Sequence, residues 1–288
     1  MGECCGKFDK GPLGSDVDKY LGLAFHPWGI FAIAIDGTYK QVNAQRWSEA
    51  QVALPNNSGG VTCFHRSAVY SFPYAAMEGE PAVLNDERWG MAQVLVHSPA
   101  DPKHMVCFDG IGIFSMDLNS GCHAQISSDG WGAVQAAVFN PQEPGYVYMF
   151  HSRGLYKVAL NDGKYEQLGS DRWSWARAAV YLPKYHAALV FHGLGLYLVQ
   201  LKDGSTTKLS SFSWGNVMAA VPTRDPDTVL VLDHFGMFFV EAVTGSRVKI
   251  SKDPWGSMSA FAPLGEQAFV SSRPFEPEQQ HEHAEYSS

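Results

Sequence analysis

Histidine and aspartate recur in this chain at one kind of place, where a run of apolar residues meets a turn: His26, His65, Asp109, His151, His192 and Asp233. Around them the sequence reads [Phe/Leu]-[His/Asp]-x-x-Gly-[Ile/Leu/Met]-[Tyr/Phe], and only the copy at His65 lacks the glycine, with Ala68 in its place. Neutral imidazoles and carboxylates are ligands for zinc, iron or manganese, and an open coordination position on such an ion would permit lyase or hydrolase chemistry. The same residues also suit a quieter task. Either side chain can accept a backbone N–H and so cap the turn that follows it.

A second set keeps the same beat. Trp47, Trp89, Trp131, Trp173, Trp214 and Trp255 each open a Trp-x-x-x-x-[Ala/Val] pattern, and Arg46, Arg88 and Arg172 immediately precede three of them. An indole face can meet the C–H surface of a sugar ring, while a guanidinium offers paired donors. Gln51, Gln93, Gln135 and Arg177, four positions beyond their tryptophans, would add polar groups. The alternative is again structural, because a tryptophan repeated in every unit can wedge between neighbouring sheets.

The elements that must position these residues follow from their spacing. Successive tryptophans lie 42, 42, 42, 41 and 41 residues apart, a period that marks a solenoid or a propeller. Each unit holds four short segments rich in Val, Ile, Leu, Phe and Tyr, as in "NVMAAV", "TVLVLD", "GMFFVEAV" and "RVKIS". The connectors "TRDPD" and "TGS" between them are turn sequences without helix-capping logic. The reading is an all-β fold, a six-bladed β-propeller of four-stranded antiparallel blades. "LGLAFHPWGIFAIAIDGTYKQV" supplies the second to fourth strands of a blade that has no first strand of its own, and "MSAFA" after Trp255 supplies the missing one. The N- and C-terminal strands are therefore expected to share one blade and close the ring, with "QAFVSS" at 267–272 competing for the neighbouring place.

Strand alternation carries the Trp-bearing and His/Asp-bearing loops to one face. Second strands lie about 4.7–4.9 Å outside the inner ring, so the six His/Asp positions cannot all reach one ion; only neighbouring blades could share it. The expected domain map is a flexible 1–18, a propeller over 19–272 and a disordered acidic, His-containing tail over 273–288.

Composition narrows the partners. The formal charge is −8 with no Lys/Arg cluster, which argues against nucleic acid. No apolar run is long enough for a transmembrane helix, and "MGECCGKFDK" lacks the apolar core of a secretory signal. Cys4, Cys5, Cys63, Cys107 and Cys122 make an odd set without metal-like spacing. They fit a reducing, cytoplasmic setting, with Cys63 and Cys107 as buried thiols. Gly2, Cys4 and Cys5 are compatible with N-terminal lipidation, but Glu3 and Gly6 depart from the usual pattern. No phosphate loop, nucleophile elbow or HExxH motif occurs.

Over residues 20–272 the chain resembles the six-bladed fungal fucose-binding lectins in blade number, in its aromatic-plus-arginine composition and in its lack of cofactor motifs. The resemblance is architectural, and no residue role is carried over from it. It implies a multivalent carbohydrate binder that takes a small-molecule or glycan ligand at each blade junction. A metal-dependent enzyme using the His/Asp ring, and a protein-interaction scaffold, are the other two readings. Trp28, Trp175 and His234 break the sixfold symmetry at points scattered along the chain.

Overall fold

A computed structural model describes residues 19–264, except 35, 57, 87–91, 98–100, 102, 224 and 254, and gives only the backbone of 92 and 93. The expectations for the two termini, for 267–272 and for Trp89 and Arg88 lie outside the described residues. Among the described residues, twenty-four strands form six four-stranded antiparallel sheets.

Blade A takes β24 (Ala260–Pro263) as its inner strand, followed outward by β1 (Tyr20–His26), β2 (Gly29–Ala34) and β3 (Tyr39–Asn43). Blade B is β4 (Ala50–Asn56), β5 (Gly60–His65), β6 (Ala68–Pro73) and β7 (Ala82–Asn85), and blade C is β8 (Ala92–His97), β9 (His104–Asp109), β10 (Gly112–Asp117) and β11 (His123–Ser127). Blade D is β12 (Val134–Phe139), β13 (Tyr146–His151), β14 (Gly154–Ala159) and β15 (Tyr165–Gly169). Blade E is β16 (Ala176–Leu182), β17 (Ala187–His192), β18 (Gly195–Gln200) and β19 (Thr206–Ser210), and blade F is β20 (Val217–Pro222), β21 (Thr228–Asp233), β22 (Gly236–Glu241) and β23 (Arg247–Ser251).

Burial falls from the axis outward. Every residue of β17, "AALVFH", is buried, whereas the outer strand β19, "TTKLS", is exposed over its first three residues. Continuous apolar runs are what a sheet covered on both faces requires, and each blade is covered by its neighbours. The cores accordingly sit between blades. Val180, Phe191 and Trp214 pack with Val231 and Phe238 across the E–F junction, and Ala24 and Phe31 pack with Leu232 and Met237 across F–A.

The ring closes as its sequence requires. β1 pairs with β24 from Gly22 opposite Pro263 to Phe25 opposite Ala260. Ser259 extends the seam: its N–H donates to the Phe25 carbonyl at 2.8 Å and its hydroxyl to the same oxygen at 3.0 Å. Each inner strand of blades B to F carries a β-bulge one residue after its start, at Gln51, Gln93, Gln135, Arg177 and Met218. A bulge leaves its extra residue outside the ladder and re-aims its side chain.

Blade B departs from the pattern. Between β6 and β7 it carries a 3-10 turn at Tyr74–Ala76 and a longer connection, which buries Met77 and accepts the Asn43 side-chain amide on the Met77 carbonyl at 2.7 Å.

Candidate functional site

The six His/Asp residues end the second strand of each blade, and in all six the side chain caps the hairpin to the third. The backbone N–H two residues on donates to Nδ1 of His26, His65, His151 and His192 at 3.3, 3.2, 3.1 and 3.0 Å. It donates to Oδ1 of Asp109 and Asp233 at 3.1 and 3.0 Å. Because a backbone N–H can only donate, each imidazole must hold a free lone pair on Nδ1, which places its proton on Nε2. Burial also favours the neutral ring: it pushes His26 down to about 4 and lowers His65, His151 and His192. For Asp233 burial acts the other way and raises the carboxyl.

The lone pair a metal would need is thus already engaged in all four histidines. Among the described residues no group of three His, Cys, Asp or Glu side chains converges as a metal site would require.

The tryptophans are tied to these caps. The N–H of Trp47, Trp131, Trp173 and Trp214 donates to the carbonyl of His26, Asp109, His151 and His192 of the preceding blade, at 3.2, 3.0, 3.3 and 3.1 Å. This backbone bond sets each tryptophan at a fixed place beside the cap of the preceding blade. The five described indoles then enter the blade junctions. Trp214 meets Phe191 of blade E and Phe238 of blade F edge-on, with centroids at 5.2 and 6.1 Å. Trp47 sits likewise between Phe25 of blade A and Phe72 of blade B.

All five are no more than 6% exposed, and none of their buried indole nitrogens has a hydrogen-bond acceptor. Perpendicular aromatic rings occupy the surroundings that a sugar would have to share. Arg46 and Arg172 stand exposed beside Trp47 and Trp173.

A further periodic set went unread in the sequence. Gln41, Gln125 and Gln167 on outer strands donate from Nε2 to the carbonyls of Trp28, Ile111 and Arg153 at 2.7, 3.3 and 3.1 Å, and Lys249 donates to that of Phe235 at 2.6 Å. With Lys208 these residues stand six positions before successive tryptophans, a period that would have revealed them. Val83 holds the place in blade B, so the blade without the hairpin glycine also lacks this polar group. The glycine itself answers to crowding. A Cβ on Gly195, at φ +148°, would lie 2.3 Å from the Ser210 carbonyl oxygen of the outer strand.

The residue at each hairpin tip is therefore held by its own backbone. In blades A, C, D and F its N–H is taken by the His/Asp cap and its carbonyl by the outer-strand Gln or Lys. Its side chain points to solvent: Trp28 is 72% exposed, Ile111 64%, Leu194 55% and Phe235 60%. Ser67 and Arg153 hold the polar tips of blades B and D.

Trp28, Phe235 and Leu194 belong to the neighbouring blades A, F and E. Exposed Trp175 and Phe212, on loops entering the inner strands of E and F, add to the same sector. Trp175 lies against Gly193, whose N–H donates to the Trp175 carbonyl at 3.0 Å, and the Arg247 guanidinium stacks on Phe212 at 3.1 Å. The symmetry-breaking residues, dispersed along the sequence, thus gather on the neighbouring blades A, F and E of one face. His234, next to the Phe235 tip, approaches Gly256 on the loop into β24.

No protein-family model and no curated protein sequence matches the chain. Solved structures do resemble it. A chain of the nidogen/laminin complex aligns with a TM-score of 0.68 at 10% identity, over 86% of this chain and 99% of that one. A structural-genomics protein of unknown function from Bacteroides thetaiotaomicron aligns with a TM-score of 0.54 at 8% identity, over 79% and 70%. The likeness is one of fold. No described helix is long and apolar enough to cross a membrane.

Proposed function

We propose that the chain is a binding module that docks a protein segment on the apolar arc of Trp28, Trp175, Leu194, Phe212 and Phe235. The observation that carries this reading is the way the tips are held. Side chains of the scaffold engage the backbone of each tip on both sides of Trp28 and Phe235, yet leave the large apolar side chain in water. Exposed apolar residues scattered singly need no explanation, but five large ones on the same side of three neighbouring blades, on stiff supports, mark a candidate interaction surface. A pre-ordered surface also loses little entropy when it binds.

Charge narrows the partner. Lys208, Arg247 and Lys249 lie under the arc on blades E and F, in a chain whose formal charge is −8. A segment with aromatic or aliphatic anchors flanked by acidic residues fits this surface, and its anchors would be the hot spots. Carbohydrate binding at the junctions draws no support from the described repeat indoles, which are buried; among the described residues, Trp28 and Trp175 are the indoles with a free face.

The test is selection of displayed peptides on the immobilised protein, with a glycan array beside it. Selected peptides should combine apolar and acidic residues and lose about tenfold or more in affinity, roughly 1.4 kcal/mol, for Phe235→Ser or Trp28→Ser. Peptides indifferent to both variants, or glycans captured through Trp28 with no peptide selected, would overturn the reading.

A further inference from the structure

Beside the arc, on the same face, a cleft of about 460 Å³ opens where the ring closes. Its walls come from four places far apart in sequence: the blade A hairpin at Pro27, the loop into β4 at Ser48–Gln51, the blade B tip at Arg66 and the loop into β24 at Gly256–Ser259. The volume lies within the range of small-ligand sites.

Three groups in this cleft lack partners. Gln51, the bulge residue of β4, is 4% exposed, and its Oε1 is sealed from solvent without a donor. A buried acceptor left without a donor is costly, which favours a ligand that supplies one. The equivalent Gln135 of blade D bonds through Nε2 to the Ala133 carbonyl at 3.2 Å. Glu49 and Arg66 are exposed at the rim and form no ion pair among the described residues, although their loops are joined by the Arg66 N–H on the Glu49 carbonyl at 3.2 Å. Both act electrostatically on His65 and so share its neighbourhood. Ser259 is already committed to carbonyls of the seam.

One free anion, one free cation and one unpaired buried amide around a single small cleft define a ligand. We infer that the seam cleft binds a small zwitterion of the α-amino-acid type. Its ammonium group faces Glu49 and takes Gln51 Oε1 as acceptor once that amide turns toward the cleft, and its carboxylate accepts from the Arg66 guanidinium, whose planar donors match that geometry. The ligand is non-covalent and no bond changes. The site does not depend on the apolar arc, since none of these three groups belongs to it.

Calorimetry with free glycine, L-alanine, L-glutamine and L-leucine tests the inference on the full chain. At least one should bind with one-to-one stoichiometry, and its N-acetyl and carboxamide forms should each bind about tenfold or more weakly. Arg66→Ala and Glu49→Gln, both at exposed positions, should keep the wild-type melting temperature and lose binding by a similar factor. Gln51→Met should lose it as well. The inference is overturned if none of the four binds at millimolar concentration, if either blocked form binds as well as the free amino acid, or if binding survives Arg66→Ala.

Discussion

Trp214 and Trp175 stand on neighbouring blades, each on a loop that enters an inner strand, and they live in opposite surroundings. Trp214 is 1% exposed and walled by rings from two blades; Trp175 is 59% exposed and rests on Gly193. The first recurs in every unit and the second in none. Each junction poses the same packing problem, and the described periodic indoles answer it in the same way, buried between blades. Trp175, outside the period, has no such packing and leaves its ring in solvent.

The largest expected effect of breaking this contrast is on stability. Trp214→Ala should destabilise by about 3–5 kcal/mol, as removal of a large buried aromatic does. Chemical denaturation measures it. Trp214→Phe should cost much less, because the indole N–H has no acceptor to lose. Equal losses for the two would mean that the nitrogen does bond, through a group such as buried water.

Acid comes next. The folded imidazoles of His26, His65, His151 and His192 resist protonation, whereas the unfolded chain takes up protons near pH 6.5. Below that pH the unfolded state therefore binds more protons, and stability falls from about pH 6.5 to about 4, where His26 also titrates. Asp233, raised by burial, contributes with the opposite sign. Denaturant midpoints across this range should slope accordingly; a flat profile would contradict the neutral caps.

A single cap is a smaller lever. His192→Ala leaves the Leu194 N–H without its partner and should cost about 1–2 kcal/mol. His192→Asp, the residue this fold uses at 109 and 233, should recover most of that and soften the acid slope. Smallest of all, Trp175→Ser should shift stability by no more than about 0.5 kcal/mol, and its effect should appear in partner binding instead. A large loss of stability there would erase the distinction between the two tryptophans.

Most of the architecture was legible in the sequence, because a period near 42 with four β segments admits few solutions, and the orphan strands at the two ends require each other. The His/Asp positions were legible as chemically capable, and capping was one of two readings open to them. What separated the readings is a lone pair's direction, which residue identity does not encode. The gathering of Trp28 with Phe235 was hidden for a topological reason. More than two hundred positions apart, they become neighbours only because closure sets blade A beside blade F. Gln41, Gln125 and Gln167 look one by one like ordinary solvated surface on an outer strand, and only their constant offset from the tryptophans sets them apart.

The strand that completes blade A also fixes an order of events. As the chain is made, β1 through β3 emerge early and β1 waits, its inner edge unpaired, until Ala260–Pro263 arrive. Contacts of such sequence separation form late and leave an exposed edge meanwhile. The cleft lined by Pro27, Gln51, Arg66 and Ser257 spans that joint, so it comes into being only when Ala260–Pro263 has paired with β1. Whatever it binds holds the latch, drawing the population toward the closed ring by mass action.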